Sequence, residues 1–105
     1  MQDNKEYLYI PMEVLYYNIS STSKLLYGIL YKETYKGHKG YEKDYKQLAI
    51  QLDTTTRTIY NCIKELKENN LVETFVTIEK KKTLTLNPPQ YQKPKNLHDL
   101  FRRIR

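Results

Sequence analysis

The chain has 105 residues, 39% of them hydrophobic, with 18 Lys and Arg against 12 Asp and Glu for a formal net charge of +6. That length suits a single domain with one modest core. No apolar run approaches the roughly 20 residues that cross a bilayer. The opening Met1-Gln2-Asp3-Asn4-Lys5-Glu6 has neither the basic nor the apolar part of a secretory signal, and the one cysteine, Cys62, allows neither an intrachain disulfide nor a Cys-rich zinc site. A soluble cytoplasmic protein is the simplest expectation.

The positive charge is unevenly placed. Residues 1–44 balance six lysines against six acidic groups, residues 45–86 carry seven basic and five acidic residues, and residues 87–105 carry five basic and one acidic. Basic surface favours phosphate through counterion release, but charge alone does not establish a nucleic-acid partner.

Taken in order, Tyr7-Leu8-Tyr9-Ile10 reads as a short strand ended by Pro11, which cannot donate to a ladder. A brief helical turn over 12–17 follows. Ser20-Ser21-Thr22 offers an N-cap for a helix running to about Tyr35, with Leu25, Leu26, Ile29 and Leu30 on its inward face. Gly28 costs that helix some stability and permits close packing. Lys36-Gly37-His38-Lys39-Gly40 is a loop.

Asp44, with Gln47 three residues on, opens a short helix to Leu52 that turns Leu48, Ala49 and Leu52 inward. Asp53-Thr54 makes a turn that demands an unusual backbone angle. Asp is among the few residues besides glycine that accept it. Thr55 caps a third helix to about Asn69. In it Ile59, Cys62, Ile63 and Leu66 gather on one face, with Arg57, Asn61, Lys64 and Glu68 opposite and Tyr60 on the flank. Asn69-Asn70 ends it, because Asn tolerates the left-handed conformation beyond a C-cap. Alternation at Val76 and Ile78, and again at Leu84 and Leu86, predicts two strands around a Glu79-Lys80-Lys81-Lys82 tip. Asn87-Pro88-Pro89 stops the sheet. An extended linker leads to a short amphipathic stretch over 96–105 with Leu97, Leu100, Phe101 and Ile104 on one side.

The third helix carries the chemistry. Its start, Thr55-Thr56-Arg57-Thr58, combines hydroxyls and free N–H groups, which suit phosphate oxygens. Arg57 and Asn61 are side chains able to pair bidentately with guanine and adenine, Tyr60 is a further base contact, and Lys64 adds backbone charge. Lys80, Lys81 and Lys82 would touch backbone or minor groove beside that helix, or form a solvated tip that protects an edge strand.

The run from Leu48-Ala49 through Thr55-Thr56-Arg57-Thr58-Ile59 to Ile63-Lys64-Glu65-Leu66-Lys67-Glu68-Asn69-Asn70-Leu71-Val72 resembles winged helix-turn-helix domains of bacterial regulators and replication proteins. Tyr9-Ile10-Pro11-Met12 and Ile19-Ser20-Ser21-Thr22-Ser23-Lys24-Leu25-Leu26-Tyr27 are similar to the opening of plasmid and phage replication initiators. The likeness spans roughly residues 7–86. It implies an α+β, mainly helical domain over 1–86, with three core helices and a two- to three-stranded antiparallel wing sheet. It also implies sequence-specific binding of double-stranded DNA, often as a dimer, in replication initiation, with other replication proteins as partners. Asp53 and Asn70 stand where the family has glycine, and the tail 87–105 is short for a second domain.

Tyr27, Tyr31 and Tyr35, four apart, form either a dimer surface or a row of half-buried rings. Stacking on single-stranded bases needs an exposed sheet or groove of aromatics, and the two wing strands hold no Tyr. The basic C-terminal segment is an arm on DNA, a partner-binding face that could also serve a homodimer, or the cut end of a longer chain. Cys62 packs in the core, and no metal-ligand spacing, phosphate loop or nucleophile–base arrangement appears, so neither a cofactor nor an enzyme is expected. A transcriptional regulator using the same helix, and a winged helix turned to protein interaction, stay open as rivals.

Overall fold

The computed structural model describes residues 7–42 and 44–89. The linker and amphipathic stretch expected beyond residue 89 lie outside them. The described elements run α1 (Met12–Leu15), α2 (Ser21–Glu33), β1 (Tyr41–Glu42), α3 (Tyr45–Gln51), α4 (Thr56–Glu68), β2 (Val72–Val76) and β3 (Lys82–Leu86). Among these residues the domain is α+β, with four helices and one antiparallel sheet of order β1-β3-β2. The arrangement is compatible with a winged-helix-like fold.

Each of the three longer helices starts where a side chain stands in for a missing intrahelical acceptor. Ser20 accepts the Ser23 N–H, Asp44 the Gln47 N–H, and Thr55 the Thr58 N–H. The Asp53 turn has φ 52°, and Asn70 beyond α4 has φ 60°, so both non-glycine residues adopt the left-handed angle that their positions require. That angle turns the chain out of α3 into α4, and out of α4 into the sheet.

The core is shared by all three longer helices and the sheet. Leu26, Tyr27 and Leu30 of α2, Leu48 and Ala49 of α3, and Ile59, Cys62, Ile63 and Leu66 of α4 are buried with Leu71, Val72 and Leu84. Leu25 departs from expectation and is 42% exposed. The buried face of α2 is centred on Ser23, Leu26, Tyr27 and Leu30, at helical spacing, which turns Leu25 about 100° away from Leu26.

The expected strand at residues 7–10 is not one. That segment is extended coil laid across α2 at Gly28, where an added Cβ would stand 2.8 Å from Ile10 Cγ1 and 3.0 Å from Leu8 Cγ. Its apolar side chains pack on a helix rather than joining a ladder. The sheet edge is instead filled by β1, in the gap between the loop expected over 36–40 and the helix opening at Asp44, with Tyr41 opposite Leu84 and Glu42 opposite Thr83. Gly40 makes that approach possible, because a Cβ there would lie 3.0 Å from Thr83 Oγ1. Tyr41 is anchored by its hydroxyl, which donates to the Asp44 carbonyl at 3.2 Å, and burial raises its phenol to about 12.

The hairpin is displaced as well. The strand expected around Val76 and Ile78 is β2, which begins at Val72 as soon as Asn70 has turned the chain, pairs Val72 with Leu86 and ends with Val76 opposite Lys82. Ile78 is in the tip and fully exposed, and Lys82 belongs to β3 rather than to the tip. The tip closes on Thr77, whose N–H donates to Lys81 O at 2.9 Å and whose carbonyl accepts the Lys80 N–H at 2.8 Å. Asn87 ties the base of the hairpin to the helices. Its N–H donates to Leu71 O, its amide Nδ2 donates to Asn70 O and Glu73 Oε2, and its carbonyl accepts the Tyr27 hydroxyl at 2.9 Å.

The α3–α4 turn gives a direct test. Asp53→Gly removes the Cβ from a left-handed residue and is expected to leave stability unchanged or slightly higher, whereas Asp53→Val costs about 1–2 kcal/mol. Chemical denaturation of both variants measures the difference.

Candidate nucleic-acid interface

The outer face of α4 follows from its inner one. With Ile59, Cys62, Ile63 and Leu66 committed to the core, a period of 3.6 residues turns Arg57, Asn61, Lys64 and Glu68 to solvent, and all four are exposed. Among the described residues, no side-chain hydrogen bond or ion pair involves Arg57, Asn61 or Lys64. A guanidinium, a carboxamide and an ammonium, at steps of four and three residues, are therefore presented along one ridge.

The start of α4 divides its polar groups between cap and surface. The Thr55 hydroxyl accepts the Thr58 N–H at 3.2 Å and lies 3.1 Å from Thr58 Oγ1. It is thereby committed to the cap, and of the four hydroxyl and guanidinium groups expected here Thr56, Arg57 and Thr58 remain to meet a ligand. The Thr56 and Arg57 N–H groups have no intrahelical acceptor, and the helix dipole adds partial positive charge at the same end.

Tyr60 is on the same helix but differs in kind. Its ring meets Tyr45 of α3 edge-on, with centroids 4.6 Å apart. The contact braces α3 against α4 and fixes the ring while leaving Tyr60 largely exposed. Burial raises the Tyr45 phenol above its ordinary value, with the neighbouring Tyr60 a smaller cause.

A cleft of about 490 Å³ runs between α4 and the start of α2, lined by Thr22, Thr58, Asn61, Lys64, Glu65 and Glu68 among others. Glu65 closes it. One carboxylate oxygen accepts the Ser20 N–H at 3.1 Å and the Ser23 hydroxyl, and lies 3.0 Å from the Ser20 hydroxyl. The carboxylate thus caps α2 from another helix, and it satisfies Ser23, which is wholly buried. The Ser23 hydrogen bond holds the Glu65 carboxyl below its ordinary range, reinforced by the two donors of Ser20 and opposed by burial. Sequence reasoning missed this clamp, since partners 42 and 45 residues apart leave no local pattern. The one available signal was an acidic residue next to the buried stripe of α4.

The wing lysines lie on a separate element. Lys80 and Lys81 are in the tip, Lys80 with φ 63°, and Lys82 opens β3. Lys81 Nζ is 3.8 Å from Glu42 Oε1, an exposed pair that ties the tip to β1. Such pairs contribute little to stability and dissociate readily.

The tyrosine row separates into three environments. Tyr27 is buried and stacks on Tyr31 with centroids 6.3 Å apart, while Tyr35 lies beyond the end of α2 and is exposed. Burial raises the Tyr27 phenol to about 12. Tyr27 therefore belongs to the core and not to a dimer surface, because the helix face expected at the flank is the one turned inward.

No family model matches the sequence, and no curated protein matches it. A solved structure described as the N-terminal domain of a DNA-binding protein is similar to the chain, with a TM-score of 0.66 over 93% of this chain and 83% of that one, at 17% identity. At that identity the likeness shows the fold. Among the described residues no group of three or more His, Cys, Asp or Glu side chains could hold a metal ion, and no helix is long and apolar enough to cross a membrane.

Glu65→Gln keeps the shape but weakens the clamp, and is expected to destabilise the domain by about 1–2 kcal/mol at neutral pH. A depressed carboxyl pKa contributes stability above its unfolded value, and that contribution is lost as pH falls through the folded value. The two proteins should therefore converge in thermal midpoint on acidification below the ordinary carboxylate value of 4.5. A gap that persists unchanged at low pH would show that the charge of Glu65 is not what matters.

Proposed function

We propose that the domain is a winged helix-turn-helix that binds double-stranded DNA sequence-specifically, without catalysing a reaction, and that it does so in DNA replication initiation of the plasmid or phage kind. The observation that carries duplex binding is the unpartnered ridge of Arg57, Asn61 and Lys64 along a helix whose opposite face is locked into the core. An α-helix fits the major groove, and these side chain types match its donor and acceptor pattern. The N-terminal N–H groups of Thr56 and Arg57, with the Thr56 and Thr58 hydroxyls, fit phosphate oxygens.

In this reading Arg57 and Asn61 read bases and Lys64 neutralises backbone. Tyr60, braced by Tyr45, sets the angle between α3 and α4 and offers a ring edge to sugar or base. The lysines of the wing extend the contact to neighbouring phosphates or the minor groove. The DNA-binding description of the structural neighbour supports DNA as a partner. The replication role rests on the resemblance of the opening segments to plasmid and phage initiators. That same resemblance supports a homodimer on paired half-sites, and engagement of other replication proteins.

Selection of bound duplexes from a random pool tests the reading, with enriched paired half-sites as the expected result and their spacing reporting the symmetry. A pool with no enrichment, together with no salt-dependent duplex affinity, overturns it. On the selected site Arg57→Ala is expected to cost about 1–3 kcal/mol and to relax preference at one base position. Equal weakening on random duplex would reassign Arg57 to the backbone.

Replacing Lys80 and Lys82 with Gln should lower the slope of log affinity against log salt by roughly two, with base preference unchanged. The slope is read from titrations across salt concentrations, and an unchanged slope removes the wing from the interface.

A further inference from the structure

A second surface, apart from the α4 ridge, lies at the C-terminal end of α2. Tyr7, Tyr9, Tyr31 and Tyr35 line a groove of about 670 Å³ together with Lys32 and Lys36. Three of these rings are largely in solvent, with Tyr7 64% exposed, Tyr9 70% and Tyr35 66%. Large aromatic surface gathered in one exposed patch marks a binding site more often than idle surface.

The backbone that places Tyr35 there is unusual. Tyr35 and Lys36 have φ of 51° and 63°, a left-handed conformation that bulky side chains seldom adopt. It is held from several sides. The Lys36 N–H donates to Tyr31 O at 2.7 Å and the Lys39 N–H to Thr34 O at 3.1 Å. The buried Thr34 hydroxyl donates to Leu30 O and accepts the Gly37 N–H at 3.0 Å. The effect is to swing the Tyr35 ring out of the helix, with Lys39 Nζ 4.7 Å from its centroid.

Charge narrows the choice of occupant. Lys32 and Lys36 line the groove and Lys39 lies over the Tyr35 ring, with Glu33 the acidic residue among positions 32–39. The C-terminal residues 87–105 are themselves basic, five against one, and offer it little complementary charge. A complementary ligand is anionic and has flat faces to lay on the rings. Bases in a duplex are stacked on each other and cannot reach these rings, whereas unpaired bases can.

We propose that this groove binds single-stranded nucleic acid, with bases stacked on Tyr7, Tyr9 and Tyr35 and phosphates held by Lys36 and Lys39. Tyrosines that the sequence spreads over 29 positions are brought together here because residues 7–10 lie across α2. The groove is at the opposite end of α2 from Ser20 and Glu65, about 20 Å along the helix. The proposal therefore stands on its own observations and does not rest on duplex binding by α4.

The full chain contains eleven Tyr and no Trp, so its own emission reports stacking on tyrosine. It is titrated with labelled oligodeoxythymidine and oligouridine of about 20 nucleotides, and with an abasic strand carrying the same phosphates. The expected result is at least about tenfold tighter binding of a base-bearing strand than of the abasic one, with quenching of tyrosine emission. The stronger of the two base-bearing strands identifies the sugar. The double variant Tyr9→Ser with Tyr35→Asn, in which Asn keeps the left-handed turn, should lose that preference and retain the thermal midpoint.

Each of the following overturns the proposal: equal affinity for the abasic strand, an unchanged preference in the double variant, or loss of the preference in Arg57→Ala alone, which would move the strand to α4. A dimer that Tyr35→Asn disperses, with no preference among the strands, would give the groove to a second copy and also overturn it. Because duplex affinity is measured separately through Arg57, failure of either reading leaves the other intact.

Discussion

Burial of one face of α4 is the constraint on which the rest of the structure depends. Ile59, Cys62, Ile63 and Leu66 are the side chains that α4 buries, and they face α2, α3 and the start of the sheet together. Burying side chains of this size stabilises a domain by about 1.5–3 kcal/mol each, before conformational entropy is set against it. Once that face is fixed, the opposite ridge has no freedom. Arg57, Asn61 and Lys64 stand outward because a helix cannot turn one face in without turning the other out.

Polar contacts then set the angles that apolar packing leaves loose. Hydrophobic burial is non-directional, so it would tolerate some sliding of α4 along α2. The Glu65 carboxylate, accepting from Ser20 and Ser23, pins that register at one point. The edge contact of Tyr45 with Tyr60 pins α3 against α4 at another. Asn87, bonded to Asn70, Leu71, Glu73 and Tyr27, does the same for the hairpin. Each of these joins residues on different elements, and the Glu65 clamp also satisfies the buried Ser23 hydroxyl.

The two surfaces differ in what makes them available. The α4 ridge is the unavoidable back of an amphipathic helix, and its composition of Arg, Asn and Lys is what gives it meaning. The tyrosine groove is assembled from an extended segment and a helix end, and its Tyr35 ring is held out by a left-handed turn against local preference. They lie toward opposite ends of α2, so the domain presents the α4 ridge and the aromatic groove without overlap.

Much of the local architecture was legible in the residues. Ser20, Asp44 and Thr55 cap the three longer helices, Asp53 and Asn70 take left-handed angles, and the buried stripe of α4 is the one its spacing indicates. These features are settled within a few neighbours, by hydrogen bonding of short polar side chains and by helical period, so a linear reading reaches them. The α4 ridge was legible for the same reason.

What the tertiary structure decided involves competition between distant segments. Whether Tyr7, Leu8 and Ile10 or Tyr41 and Glu42 would occupy the edge beside β3 depended on Gly28 and Gly40, each of which opens space for a different neighbour. The exposure of Leu25, the burial of Tyr27 and the reach of Glu65 to Ser20 all follow from where α4 and the hairpin base settle on α2. Alternation and period specify which face of an element is apolar, but not which partner covers it, and that choice belongs to the packed whole.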